Sequence, residues 1–382
     1  MRKKNRIIII GGGMVGQAIA GDLFEDFDVT VLDKNRARLD FLKSIYSIET
    51  IVKDLSVKPE INQLVRDYDL VINAVPGKIG YKILRAIISA GKNVVDISFF
   101  NSDPFELDEL AQTMNVTAVV DCGIAPGLHN IILGHHNELM KVEKFKCYVG
   151  GLPFKRSWPY EYKASFSPAD VIEEYVRPAR IVSEGKVIIR EALSDPELID
   201  FDEIGTLEAF NTDGLRTLIR TMKIPNMVEK TLRYPGHIEL MRVFRESGFF
   251  SEVEVRINGN RIRPLELTSE LLFKQWKPDD EEKEFTIMKV IIIGVKDGEE
   301  VKYTYNLFDR FNDSTKISSM ARTTAYTCTA VARLFLEGGL KQKGIIPPEY
   351  IGALPGNLDS ILNMLQKRNI IIDMEITRMN YN

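Results

Sequence analysis

The residues with the most evident chemistry are Gly11-Gly12-Gly13-Met14-Val15-Gly16, a Gly-x-Gly-x-x-Gly turn, and Asp33, seventeen residues past Gly16. A turn of this kind can cradle a pyrophosphate: Gly11 allows a tight bend, Gly13 lets backbone approach the anion, and Gly16 lets the next helix sit close on the sheet. The free N–H groups at the helix N-terminus, around Met14 and Val15, would face the phosphates. Asp33 would accept hydrogen bonds from ribose hydroxyls and repel a 2′-phosphate, so the motif predicts NAD rather than NADP. Lys34 and Arg36 follow closely and soften that preference. The plainer alternative is a strand–turn–helix corner with no ligand.

Such a turn works only if a sheet holds it. Ile7–Ile10 before it reads as a buried parallel strand and Gln17–Phe24 after it as a helix. From Asp28 to Asp121, apolar runs (29–32, 48–52, 70–75, 94–97, 118–120) alternate with helical patterns (36–44, 58–65, 79–90, 107–114). That is an α/β fold, a doubly wound parallel (Rossmann) sheet. Ligands of such sheets sit at the carboxyl ends of the strands. The closing residues therefore become cofactor candidates: Asp33; Asp54 and Leu55; Asn73, Ala74, Val75 and Pro76; Asp96, Ile97 and Ser98; and Asp121.

The rhythm changes near residue 140. Residues 145–149 alternate like a strand with one exposed face, and 180–189 and 288–308 read as hairpins turning at Glu184-Gly185 and Asp297-Gly298. Helical pieces are expected at 168–175 and 238–246, and Asp279–Glu282 as a solvated loop. These features predict an inserted α+β domain on an antiparallel sheet. Residues 318–336 return to a long helical pattern, followed by a helix at 361–366 and a strand at 370–372. The expected division is 1–128 for dinucleotide binding, 129–316 for substrate and dimerisation, and 317–382 packing back on the first domain.

Composition excludes several classes. Of the 382 residues 45% are hydrophobic and the net charge is −4, which leaves no electrostatic footprint for nucleic acid. The basic N-terminus is followed by only four isoleucines, too few for a signal or a membrane span, so a cytoplasmic location is expected. Cys122, Cys147 and Cys328 are scattered, and His129, His135 and His136 lack ligand spacing, so no disulfide framework and no metal site is expected.

Several segments together resemble the saccharopine dehydrogenase–like family, and within it the lysine 6-dehydrogenase (lysine ε-dehydrogenase) branch. They are Gly11–Gly16 with Asp33, Val71–Ala74, Val95–Ser98, Asp121–Gly127, Tyr148–Pro153, Arg233–His237 and Met320–Thr327, in order along nearly the whole chain. The Gly-Gly-Leu-Pro and Arg-Tyr-Pro-Gly-His segments lie outside the nucleotide-binding fold and are the more specific. The resemblance implies a homodimeric NAD-linked oxidoreductase acting on a carbon–nitrogen bond. In the lysine branch the ε-carbon of L-lysine gives a hydride to nicotinamide, and the imine hydrolyses to a semialdehyde, which cyclises, and ammonia. Saccharopine-forming members carry an aspartate where this chain has Ala125, so the resemblance also implies that saccharopine is a poor substrate.

That chemistry needs a place for nicotinamide, a base for the ammonium and an anchor for a distal carboxylate. Asp96 either faces the cofactor or caps the next segment. Asp121 either faces the cofactor and holds or deprotonates the amine, or satisfies backbone N–H groups in its turn. Arg233 either grips the carboxylate bidentately or forms a structural ion pair. His237 either shuttles a proton or packs at a helix start. Tyr160 and Tyr162 either line the pocket or belong to the core. Thr323 and Thr324 either bond substrate or cofactor, or cap a helix. Two rivals stand beside lysine oxidation: a reductase joining an amine and an aldehyde, as in saccharopine or carboxynorspermidine formation, and an NAD(H)-binding redox sensor without turnover.

Overall fold

The computed structural model describes residues 4–56, 60–164, 168–279 and 282–379. Of the expected elements, the start of the 58–65 helix and the middle of the acidic loop at 279–282 lie outside them. The chain divides into two compact units, 1–138 with 321–370, and 139–320 with 371–382.

The first unit is built on seven parallel strands in the order Gly344–Ile346, Thr117–Val119, Val94–Asp96, Leu70–Asn73, Arg6–Ile10, Asp28–Asp33, Glu49–Val52. Arg6–Ile10 pairs with Asp28–Asp33 on one side and Leu70–Asn73 on the other, so the order of winding reverses at this strand. The crevice at such a reversal is where open α/β sheets bind ligands. Ile7 to Ile10 are at most 1% exposed, as a run buried on both faces should be. The helix Gly77–Ser89 buries Ile83, Leu84, Ile87 and Ile88, which recur at helical spacing on one stripe.

The seventh strand, Gly344–Ile346, was not expected; three residues are too few to show a period. The long helix Ser319–Leu336 and the strand and helices after it belong mainly to this unit. Arg333 Nη1 donates to Asp22 Oδ2 at 2.7 Å and its Nη2 to Asp26 Oδ2 at 2.7 Å, while Arg368 Nε also donates to Asp22. The returning segment is thereby tied to the first helix, Met14–Leu23.

The second unit corrects two expectations. Its main sheet is mixed rather than antiparallel, because Asn226–Arg233 runs parallel to Lys141–Pro153. The expected strand at 370–372 is Ile372–Met379, and it joins this sheet beside Glu299–Arg310 instead of the first unit. Both hairpins form, as Ala179–Ser183 with Lys186–Arg190 and Glu284–Lys296 with Glu299–Arg310. Their turn residues have positive φ at both positions (Glu184 51°, Gly185 75°; Asp297 53°, Gly298 87°), which matches the right-handed twist of the strands.

Candidate functional site

The glycine turn has the geometry its sequence demands. Gly11 N–H donates to Leu32 O at 2.8 Å, and Gly11 sits at φ +107°, where a Cβ would lie 2.4 Å from Ala74 O across the reversal point. A Cβ on Gly16 would lie 1.9 Å from Gly11 O. Over Gly13 the space is open, since the nearest atom to a Cβ there would be Arg38 Nη1 at 3.7 Å. Gly13 precedes Met14 and Val15, the first residues of a helix with no acidic side chain in its first turn. The turn therefore fits an anionic pyrophosphate.

Asp33 closes its strand and is joined to the turn: Oδ2 accepts from Gly12 N–H at 2.7 Å and Oδ1 from Asn35 N–H at 2.8 Å. Each carboxylate oxygen has further lone-pair capacity for ribose hydroxyls. Asp54 is exposed, its carboxyl held below the usual range by the Ser56 hydroxyl and N–H, and Leu55 beside it is buried.

The next two strand ends are clasped together. Asn73 Nδ2 donates to Asp96 Oδ2 at 2.5 Å and to Ser98 Oγ at 3.2 Å, and Ser98 N–H donates to Asp96 Oδ1 at 2.6 Å. Ile97 N–H reaches Asn73 O at 3.0 Å, and Cys122 N–H reaches Asp96 O at 2.9 Å. Asp96 is fully buried; burial pushes its carboxyl up to about 7, against the opposing pull of Asn73 and Ser98. This is the capping arrangement, and no oxygen of Asp96 is left facing outward. After the clasp, Ala74, Val75 and Pro76 lead into the helix Gly77–Ser89.

Asp121 is buried in a left-handed conformation, φ 51°, at the head of the turn that ends in Gly127. Thr324 packs on this turn, its Cγ2 3.3 Å from where a Gly123 Cβ would be. Thr323 is buried. Both threonines lie in the second turn of Ser319–Leu336, so neither caps that helix.

In the second unit the structure brings Arg233, His237 and Tyr162 together and adds Glu174, Tyr175 and Trp276. Arg233 is 2% exposed; it donates from Nη2 to Glu174 Oε2 at 2.6 Å, from Nε to Tyr175 Oη at 3.2 Å and from Nη1 to Leu232 O at 2.9 Å. Its guanidinium carbon lies 4.5 Å from the Tyr162 ring centroid. This is the ion-pair alternative, with Glu174 where a ligand carboxylate would have to bind.

His237 Nδ1 lies 2.8 Å from Tyr160 O, which can only accept, so Nδ1 carries the proton and Nε2 accepts from Tyr175 Oη at 2.9 Å. Burial and the neighbouring Arg233 push the imidazole down to about 3, so it stays neutral near pH 7 and packs rather than shuttles. Tyr162 is buried, its ring 5.4 Å from Trp276, and Tyr160 packs on Trp276 at 6.1 Å. Glu174 and Tyr175 gave no sequence signal. They sit on a short amphipathic helix, Pro168–Val176, where a half-buried acid looks the same as an exposed one.

A glycine cradle at the reversal point of a parallel sheet, with a second unit on a mixed sheet, defines a dinucleotide-binding protein of two units. Residues 7–119 match the saccharopine dehydrogenase NADP binding domain, and residues 119–371 match the saccharopine dehydrogenase C-terminal domain. The chain belongs to the saccharopine dehydrogenase family.

Carboxyaminopropylagmatine dehydrogenase of Synechocystis sp. is 22% identical over 378 residues, covering 92% of this chain and 94% of that protein. Mitochondrial alpha-aminoadipic semialdehyde synthase of Bos taurus is 24% identical over 268 residues, 66% of this chain. The chain spans only 29% of that bovine protein's length. In structure it is similar to apo saccharopine dehydrogenase (L-Glu forming) from Saccharomyces cerevisiae, with a TM-score of 0.79 at 18% identity over 98% of this chain and 100% of that one. That likeness is one of fold. Among the described residues no helix is long and apolar enough to cross a membrane.

Proposed function

We propose that this chain is an NAD-linked amine dehydrogenase that oxidises L-lysine at its ε-carbon, acting as a homodimer in the cytoplasm. The observation that carries the dehydrogenase reading is the open glycine cradle at the reversal point, with Asp33 bonded to Gly12. The bound cofactor supplies a hydride acceptor. The chain's own residues do the rest. Gly11 to Gly16 and the N–H groups of Met14 and Val15 hold the pyrophosphate, and Asp33 takes the ribose hydroxyls. The clasp of Asn73, Asp96 and Ser98 fixes the two turns at the nicotinamide half, with Asp96 acting as a positioning residue.

Asp121 holds the substrate amine, with Thr323 and Thr324 near its turn. The ε-ammonium gives a proton to the Asp121 carboxylate, and the ε C–H bond then breaks with its electron pair leaving as hydride. Water adds to the resulting iminium carbon, the carbinolamine loses ammonia to give the aldehyde, and the α-amine condenses with that aldehyde into a ring with loss of water.

Lysine is favoured over saccharopine because Ala125 stands where saccharopine-forming members carry an aspartate, and its methyl side chain offers no polar partner to a second charged arm. A charged group left unpaired in a partly dehydrated site costs about 1–3 kcal/mol or more. A second reading, a dehydrogenase that joins an amine to an aldehyde, is favoured by the 94% coverage of the Synechocystis protein, against 29% of the bovine one.

The deciding experiment measures NADH formation from lysine, ornithine, saccharopine and diamines, with ammonia assayed separately. Lysine-dependent NADH with an equal amount of ammonia is expected. Faster oxidation of saccharopine, or NADH without ammonia, selects the second reading.

A further inference from the structure

Of the basic residues that follow Asp33, one is aimed at the glycine turn. Asn35 caps the helix Arg36–Ile45: its Oδ1 accepts from Arg38 N–H at 3.1 Å, and its own N–H is held by Asp33 Oδ1. The start of this helix is thereby tied to Asp33 and, through Asp33 Oδ2, to Gly12. Leu42 packs on the turn, its Cδ1 3.4 Å from where a Gly12 Cβ would be. Arg38 lies four residues before Leu42, on the same stripe of the helix. It reaches the next glycine, with Nη1 3.7 Å from where a Gly13 Cβ would be.

Gly13 is the position at which a turn of this kind lets backbone approach a pyrophosphate. The guanidinium beside it has no anion of its own. Arg38 is exposed, and among the described residues its side chain makes no ion pair, hydrogen bond or ring contact. Asp33, whose two oxygens are tied to Gly12 and Asn35, lies beyond salt-bridge distance of it. Lys34 sits near Asp54 instead and helps hold that carboxyl below its usual range. Arg36 lies about 200° round the helix from Arg38. An unpaired arginine at the wall of an anion cradle is placed for a phosphate, whose oxygens its planar fork matches.

We propose that Arg38 is a cofactor-binding residue whose guanidinium pairs with the pyrophosphate of the dinucleotide, an assignment that rests on the dinucleotide reading of the turn. The pyrophosphate is common to NAD and NADP, so Arg38 sets how tightly either binds and leaves the choice between them to Asp33. The Asp33–Asn35–Arg38 hydrogen-bond chain makes ribose and phosphate two readings of one rigid rim.

The test is a calorimetric titration of the full-length protein with ADP-ribose and with 2′-phospho-ADP-ribose. Arg38→Gln should weaken both by the same factor, about tenfold or more, as the loss of one charge-assisted hydrogen bond to a phosphate predicts. Arg38→Lys should recover part of that loss. Lys43→Gln, which removes a charge from the last turn of the same helix, should bind as the wild type does. The melting temperature of Arg38→Gln should stay at the wild-type value, since the side chain holds nothing within the fold. Unchanged ADP-ribose affinity in Arg38→Gln overturns the assignment. So does a loss confined to the 2′-phosphorylated ligand, which would make Arg38 a reader of the 2′-phosphate. An equal loss in Lys43→Gln overturns it as well, because the effect would then be one of general surface charge. A wild type that binds neither ligand takes the dinucleotide reading down too, whereas each of the other failures leaves that reading standing.

Discussion

Each unit buries a polar network, and the two are built on opposite principles. In the first unit Asp96 is surrounded by neutral donors, the Asn73 amide and the Ser98 N–H, so its burial is uncompensated by any cation among the described residues and its carboxyl rises to about 7. In the second unit full charges meet, Arg233 against Glu174, with aromatic rings and a neutral imidazole filling the remaining sides. A clasp of neutral donors holds two strand ends and their turns in place. A buried ion pair is expensive to break and fixes a helix to a sheet. The contrast teaches that a buried arginine in a family-specific segment can be part of the frame.

The largest effect should come from the cradle. Gly16→Ala puts a Cβ 1.9 Å from a backbone oxygen, so affinity for ADP-ribose should fall more than a hundredfold while circular dichroism reports whether the fold survives. Unchanged affinity would mean that the turn is only a corner.

Next in size is the frame of the second unit. Arg233→Ala should cost up to about 3–5 kcal/mol of stability, because it leaves the half-buried Glu174 without its partner. ADP-ribose affinity should stay as it was. The double variant with Glu174→Gln should be less destabilised than the two single losses predict together, since coupled partners are not additive. If Arg233→Ala instead leaves the melting temperature untouched and raises KM for lysine, the arginine is a substrate anchor after all.

The acid response sharpens the comparison. Asp96 has a folded value raised above its ordinary 3.8, so its contribution is fully present below that value and is lost as pH rises through about 7. His237 has a folded value lowered from 6.5 to about 3, so its contribution is present above 6.5 and is lost as pH falls through about 3. Between pH 4 and 6.5 the stability difference between wild type and Asp96→Asn should therefore shrink with rising pH, and that between wild type and His237→Gln should grow. Each slope is at most about 1.4 kcal/mol per pH unit. Parallel slopes in denaturant titrations would mean that the two networks do not differ as described.

Asp33→Ala should have the smallest effect, a several-fold loss in NAD affinity and a narrower gap to NADP. Part of the loss is indirect, because the Gly12 and Asn35 N–H groups lose their acceptor. A wild-type protein that prefers NADP at equal concentration would contradict the role given to Asp33.

The cradle was legible in the sequence because glycine spacing, flanking strands and a terminal acid are all local features. Both hairpins were legible for the same reason. The seventh strand was not, since Gly344–Ile346 is defined by its partner Thr117–Val119 and not by its own three residues. The parallel pairing of Asn226–Arg233 with Lys141–Pro153 was equally hidden, because direction is a property of the pair. Among side chains, Arg233 and His237 stood out by type, but their partners, Glu174 and Tyr175, lie about sixty residues away in sequence. The place of Arg38 is visible only once its helix is folded against the turn.

That seventh strand has a consequence during synthesis. Thr117–Val119 leaves the ribosome with six strands of its sheet available, but its last partner is roughly two hundred residues further on. At about 5–20 residues per second the wait is on the order of 10–40 s. Throughout it, a strand made of buried residues offers an unpaired edge to any other chain nearby. Nascent copies on one messenger are the nearest such chains, so slow translation of the middle of this gene should lower the yield of native protein.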